Sequence, residues 1–398
     1  MADSFLFATG IENSYPTIAG GKRIDEMEKC GHYERYREDF ALTAEMGLRY
    51  LRWGPALYKT FVGPGQYDWA WTDEAMEEMR RLDIEPILDL CHFGVPDWLG
   101  NFQNPDLPGY FAEYAAACAR RYPWVRYWTP VNEIFVAALF SAWNGGWNEC
   151  LRGHRPFVTA LRNMCLMNVL AMDEIAAVCE RPVFIQSESS EFWHPAHPNL
   201  REQARFWNQL RFLPLDLTYG HDVRVHTYEH LLANGFTRAD YELFMNRPQD
   251  HRRVMGNDYY EWNEHLMTGT DQWVPSGEIL GYYVITKQYY DRYRLPVMHT
   301  ETNAISERAV SWLWKEWSSM IRLREDRVPV VGFTWFSLTD QMDWDTGLTV
   351  DANRVYKVGL YDLNRRQRPV GVAYQRIVRE WTDAIGGTND MLEGSLYV

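Results

Sequence analysis

YFAEYAAACARRYPWVRYWTPVNE, residues 110–133, holds one complete unit of the fold. Residues 110–121 combine strong helix formers with apolar residues at i, i+3 and i+4, the spacing of one buried helix face. Val125–Asn132 is then a short run of aromatic and β-branched residues, read as a strand, which closes on the polar pair Asn132 and Glu133. The same alternation recurs on both sides. Candidate strands are Phe5–Ile11, Arg49–Trp53, Pro86–His92, Val183–Glu188, Val254–Tyr259, Val297–Glu301 and Val328–Ser337, and helix-like stretches Tyr33–Met46, Thr72–Leu82, Phe157–Cys179, Ile279–Tyr293, Glu307–Arg324 and Val370–Ala384 lie between them. Eight strands alternating with helices predict an α/β chain with a parallel sheet closed into a single (β/α)8 TIM barrel rather than left open. Residues 190–253, with WHPAHP and RFLPLDLTYGHD, read as a long irregular fifth connection over the barrel mouth, so 1–398 is taken as one domain.

Composition narrows the function. The net charge of −14 opposes attraction to phosphate backbones and anionic lipid, so neither nucleic acid nor a membrane is expected as partner. The six cysteines show no CxxC or paired His spacing, the start MADSFLFATGIENSY lacks a basic n-region, and no segment reaches the ~18 apolar residues of a membrane span. Reduced thiols and a cytoplasmic setting follow as expectations. The 60 aromatic rings, 15% of the chain, fit either a ring-rich core or a concave site for flat, polar-edged ligands. The second reading gains from Phe93, Trp98, Trp143, Trp147, Trp193, Tyr260, Trp335 and Trp344, which fall at or just after strand ends.

In such a barrel the chemistry gathers where strands end. Polar residues close almost every strand here: Asp89 and His92, Asn132 and Glu133, Ser187 and Glu188, Asn257 to Tyr260, His299 and Glu301. Any one Glu there could cap a helix or serve as a buried polar partner. Glu133 in TPVNE and Glu301 in HTETN, however, end strands four and seven on opposite sides of the mouth. Two carboxyls facing a shared centre can have their pKa values pushed apart, as acid/base plus nucleophilic catalysis requires.

At these residues the sequence resembles glycoside hydrolase family 1, the retaining β-glycosidases. TPVNE (129–133) is similar to that family's T-x-N-E acid/base motif and HTETN (299–303) to its T-E-N-G nucleophile motif. MGLRYLR (46–52), CHFGVP (91–96), MGNDYY (255–260) and FSLTDQMDW (336–344) resemble, in order, the strand-two segment ending in Arg, H-W-D-x-P, G-x-N-Y-Y and W-S-L-x-D-N-x-E-W. The departures lie in the sugar-reading shell. GIENSYP (10–16) stands where the family has Gln, leaving Glu12 and Asn13 as substitutes, while Phe93 and Phe336 replace Trp, Asp258 replaces Asn, Asp343 replaces Glu and Ala304 replaces Gly.

The resemblance implies hydrolysis of a β-linked glycoside by double displacement, with Glu301 as nucleophile and Glu133 as acid/base. Arg52 would hold Glu301 ionised, Tyr260 would add a hydroxyl donor, and Asn132 and His92 would meet sugar hydroxyls. Trp335, Trp344 and Asp343 would form a glycone platform, and Trp143, Trp147 and Asn148 an aglycone wall. Whether Trp335 or Phe336 faces the sugar is left open by strand alternation. No cofactor and no metal are implied, the partner is a small carbohydrate, and a homo-oligomer stays open. Three rivals remain: a non-catalytic carbohydrate-binding barrel, a transglycosidase using the same residues, and a metal-dependent barrel built from His92, Glu133, Glu188, His226 and Glu301. The last is disfavoured because no H-x-H or HExxH spacing occurs.

Overall fold

The computed structural model describes residues 5–385. Eight parallel strands close into a barrel: β1 Leu6–Gly10, β2 Tyr50–Trp53, β3 Glu85–Asp89, β4 Tyr127–Thr129, β5 Val183–Ser189, β6 Arg252–Asp258, β7 Val297–Glu301 and β8 Val330–Trp335. Each pairs with its neighbours in sequence, and β8 pairs with β1 through Leu6 opposite Gly332. Both strand faces are buried. Inward side chains, among them Leu6, Ala8, Tyr50, Ile87, Tyr127 and Met298, fill the barrel, whereas Phe7, Leu51, Leu88, Trp128 and Phe333 pack outward against the helices. This double burial explains why the strands read as near-continuous apolar runs.

The helical layer consists of α1 His32–Glu45, α2 Ala70–Arg81, α3 Leu107–Arg121, α4 His154–Val178, α5 Arg201–Leu210, α6 Leu213–Tyr219, α7 Val225–Ala233, α8 Arg238–Met245, α9 Gly281–Tyr293, α10 Ser306–Glu325 and α11 Pro369–Ile385. Four of these, α5 to α8, lie in the fifth connection. The expectation of an irregular segment is therefore corrected: Ala204, Trp207 and Leu210 give α5 a buried face, and Thr237 caps α8 reciprocally with Asp240. A three-stranded sheet of Phe192–Pro195, Glu264–Gly269 and Gln272–Pro275 stands at the mouth. All six cysteines are free thiols, and among the described residues no helix is long and apolar enough to cross a membrane.

Strand ends depart from the sequence reading where the backbone turns. Strand four stops at Thr129 because Pro130 has no N–H for the ladder, and Glu133 then takes a left-handed conformation, φ 39°. In β8 the register against β7 slips at Val331, with Val297 opposite Val330 but Met298 opposite Gly332. The slip re-aims the following side chains. Trp335 consequently points outward into the helix layer, fully buried, its indole N–H donating to the Val358 carbonyl at 2.9 Å.

One glycine fixes how closely β2 and β3 approach at the mouth. A Cβ on Gly54 would sit 1.6 Å from the Asp89 carbonyl oxygen and 2.8 Å from Asn13 Nδ2. Backbone cannot yield by that amount without opening the barrel. Gly54→Ala is expected to cost at least about 3 kcal/mol, read as a lower denaturation midpoint or loss of soluble protein; unchanged stability would contradict the packing described.

Candidate active site

The strand ends deliver charged side chains to one buried point. Arg52, closing β2, is 1% exposed, which would be untenable for a lone guanidinium. It bonds Glu301 at the end of β7, donates to Asn132 Oδ1 at 2.7 Å and the Thr300 carbonyl at 3.3 Å, and lies 3.5 Å from Asp89. Burial disfavours its charge, but Glu301, Asp258 and Asp89 outweigh that and keep the guanidinium protonated. The second Glu301 oxygen accepts from the Tyr260 hydroxyl at 2.8 Å. Burial and the Glu301 charge hold the Tyr260 phenol well above its usual range, so it remains a donor.

Glu133 has the opposite surroundings. It is buried, no hydrogen bond from the described residues reaches its carboxyl, and burial with the charge of Glu301 pushes it well above the ordinary carboxylate range. One oxygen each of Glu133, Glu301 and Asp258 lie within 4.8 Å of one another. Among the described residues this is the group tight enough to hold a metal ion, yet its cation is already present as Arg52. Asp258 accepts from the Ser187 hydroxyl at 2.6 Å. Burial and Glu301 raise it to about 8 against the opposing pull of Arg52.

A second set flanks this centre. His92 donates through Nδ1 to Asp89 at 2.7 Å, and its Nε2 lies 3.2 Å from Asn132 Nδ2 and 3.4 Å from Glu12. Burial would lower His92, but Asp89, Glu12 and Glu301 raise it to about 9. Glu12 bonds Ser14 and accepts from Gln341 at 3.1 Å. Its own pKa is raised, chiefly by burial. Phe336 lies parallel to the His92 ring at 6.3 Å, with the Arg52 guanidinium 5.5 Å from its centroid.

Above the carboxyls opens a cavity of about 450 Å³. Tyr260 and Trp262 stack at 5.2 Å, Trp344 meets both edge-on, and Tyr356 continues the wall 6.1 Å from Trp344. Phe140 stacks on Trp147 at 4.5 Å, Phe93 tilts against Trp147 at 4.7 Å, and all three line the same cavity. Trp273, His265 and Glu191 line it from the mouth sheet side, Glu191 bonding both His265 and Asn263.

Of the residues expected from sequence, Glu133, Glu301, Arg52, Tyr260, Asn132, His92 and Glu12 therefore come together, and Trp344 and Trp147 line the cavity. Several do not join them. Trp335 faces the helices. Asp343 is fully buried and its carboxylate is saturated: Lys29 donates at 2.6 Å and the amides of Ala352, Asn353 and Arg354 at 2.8–3.0 Å, so it organises the loop after β8 instead of facing a ligand. These contacts outweigh its burial and hold it below the usual range. Asn13 is buried with its Nδ2 unpartnered, against Gly54. Asn148 donates to the Phe93 carbonyl and Ser141 and so braces a wall. Trp143 packs on Trp207 and His154, Trp193 is core, and Trp98 donates to the Phe61 carbonyl. Glu188 accepts from the Phe135 amide as a helix cap, and His299 stacks on Tyr282 at 3.7 Å outside the barrel. His226 is exposed on α7, so the metal set is not assembled. Asp89, named in the sequence reading from its strand-end place, was given no role there. Missed from sequence were Glu191, Trp262, His265, Trp273 and Tyr356, which sit on mouth turns and short strands whose return to the site no periodicity signals.

The model of glycosyl hydrolase family 1 matches residues 15–229. The 6-phospho-beta-glucosidase AscB of Escherichia coli (strain K12) and the aryl-phospho-beta-D-glucosidase BglA of Bacillus subtilis (strain 168) are each 36% identical over 128 residues, 30% of this chain and 27% of theirs. The matched stretch thus spans about a quarter of the length of these curated relatives. In fold, the chain is similar to the family 1 β-glucosidase of Thermotoga maritima, with a TM-score of 0.81 and 16% identity over 97% of this chain and 98% of that one. The same enzyme in complex with deoxynojirimycin gives 0.81 and 17% over 95% and 98%. With the family match extending over more than half its length and the barrel complete, the chain belongs to glycosyl hydrolase family 1.

Proposed function

We propose that the chain is a retaining β-glycosidase that hydrolyses a β-linked glycoside or oligosaccharide, with Glu301 as nucleophile and Glu133 as acid/base in one catalytic domain. The observation that carries the reading is the spacing of the two carboxyls. An oxygen of each within 4.8 Å of the other accords with the ~5–5.5 Å between carboxyl groups in retaining enzymes better than with the ~6.5–9.5 Å of inverting ones. Glu133, held protonated by burial, gives its proton to the glycosidic oxygen as Glu301 attacks the anomeric carbon. The leaving group departs, and the Glu133 carboxylate then takes a proton from the water that releases the sugar from Glu301. Asn132 and His92 serve as hydroxyl partners, and the aromatic cavity holds the aglycone. The free thiols support a cytoplasmic setting.

The glycone is inferred to be neutral. Arg52, His92 and Lys29 already hold carboxylates, while Glu12, Asp89, Asp258 and Glu301 crowd the same place. A phosphate on the sugar, which the names of the two relatives above indicate for their substrates, would meet carboxylate-paired cations at Arg52, His92 and Lys29.

Three outcomes test these statements. Glu133→Ala should lower kcat on a poor leaving group by roughly 10²–10⁴-fold, and azide should restore turnover as the β-glycosyl azide. Glu301→Gly with azide should give the α-anomer; equal β product from both variants, or full activity in either, would sink the assignment. For the glycone, kcat/KM on 4-nitrophenyl β-glucoside should exceed that on its 6-phosphate by at least about tenfold, and the reverse order would contradict the charge argument. The third concerns Asp258, ordinarily near 3.9 and here raised to about 8. Between those values the unfolded chain loses a proton that the folded site keeps, so stability falls as pH rises toward about 8 and levels off beyond. Asp258→Asn should melt higher than the parent at alkaline pH, with the gap closing toward acid. Parallel curves would show that Asp258 is ionised throughout.

A further inference from the structure

The fifth connection encloses a second cavity, about 220 Å³, outside the barrel and between α5, α6, α7 and α9. Four guanidiniums line it: Arg205, Arg211, Arg224 and Arg292. On a chain of net charge −14 such a concentration of positive charge needs a reason.

Two of the four are neutralised. Arg292 forks onto Asp216 at 2.7 and 2.8 Å, and that carboxylate also accepts from the Tyr293 hydroxyl at 2.7 Å. Arg205 pairs with Glu202 at 2.8 Å on the exposed face of α5, a link that solvent makes weak. The other two have no carboxylate within 4.0 Å among the described residues. Arg211 is 2% exposed and donates only to neutral acceptors, the Glu191 carbonyl at 2.8 Å, the Asn208 carbonyl at 3.2 Å and the Gln288 amide oxygen. Phe192, Phe212 and Tyr289 cover its faces at 4.5–5.1 Å. Arg224 is exposed at the start of α7, whose first-turn amides have no partner within the helix, and Thr227 of that turn lines the cavity.

A buried guanidinium without a counter-charge is costly, and proteins compensate such groups with an anion. We propose that this cavity binds a small phosphate dianion, either free or as the monoester of a small metabolite. Arg211 and Arg224 supply two unneutralised positive charges, which a dianion satisfies and a single carboxylate does not. Guanidinium forks and helix-start amides are donors suited to tetrahedral oxyanions. Exposed Arg205 can leave Glu202 and close over the ligand. The site is separate from the carboxyl centre, although Glu191 touches both, through its carbonyl to Arg211 and its side chain to the outer active-site cavity.

The test is calorimetric titration of the full chain at neutral pH and fixed ionic strength, with inorganic phosphate in one arm and glycerol 3-phosphate in the other. Saturable binding of at least one is expected, weakened by at least about tenfold in Arg224→Glu and in Arg205→Glu. Both changes lie on exposed side chains, so the fold is retained, and melting without phosphate checks this. Arg211→Met should abolish binding; if that variant does not fold, the two surface variants decide. The tighter of the two anions identifies the source of the phosphate. Absence of saturable binding in both arms, or wild-type affinity in the two surface variants, overturns the proposal.

Discussion

The bond between Arg52 and Glu301 is the constraint on which the mouth of the barrel is built. Neither group could be buried alone, and removing one member of such a pair generally costs about 3–5 kcal/mol. Through its remaining donors Arg52 also holds Asn132 and approaches Asp89, which in turn fixes His92. Four side chains from three strand ends are thereby set by one guanidinium. The barrel makes this affordable, because closing eight strands brings their ends within side-chain reach of a common axis.

Around that polar centre the aromatic side chains divide by role. Those in the helix layer fill volume, whereas Tyr260, Trp262, Trp344 and Tyr356 stand as one wall over the carboxyls. Asp343 shows how the wall is held. Three backbone amides and Lys29 converge on its buried carboxylate, and the loop they tie down carries Trp344 and Tyr356. On the opposite wall Asn148 braces Phe93, a residue in the left-handed region, φ 65°. Glu133, φ 39°, bears similar strain, the kind that functional positions tolerate when their surroundings impose it.

The fold and the inner site were legible in the sequence for one physical reason: a strand buried on both faces is an unbroken apolar run, and its end is marked by the first charged residue. This located Glu133 and Glu301 without any contact information, whereas Arg52 came from the resemblance of MGLRYLR (46–52) to the family's strand-two segment. Legibility failed where geometry depends on events that leave no periodic trace. A one-residue slip at Val331 turned Trp335 away and Phe336 inward. Asp343 sits in the expected place but spends its charge on backbone amides far along the chain. The helices α5 to α8 are short and separated by Pro and Gly, so their apolar faces were hidden among turn residues. His265 and Trp273 reach the cavity from a sheet folded back over the mouth, and Trp262 from the turn that leads into it, a long-range return that spacing does not encode.

The two central carboxyls are chemically identical and lie within one small volume, so any difference in role must come from their donors. Glu301 accepts from a guanidinium on one oxygen and from a phenol on the other. Glu133 receives neither; burial and the nearby Glu301 charge favour its neutral acid. Exchanging the proton between them would strip Arg52 of its partner's charge and leave the anion on the carboxyl that no donor among the described residues reaches. The direction of proton transfer under the proposed mechanism is thus set before any substrate enters. Asp258, raised to about 8 by burial and by Glu301 against the pull of Arg52, is the third carboxyl of the centre.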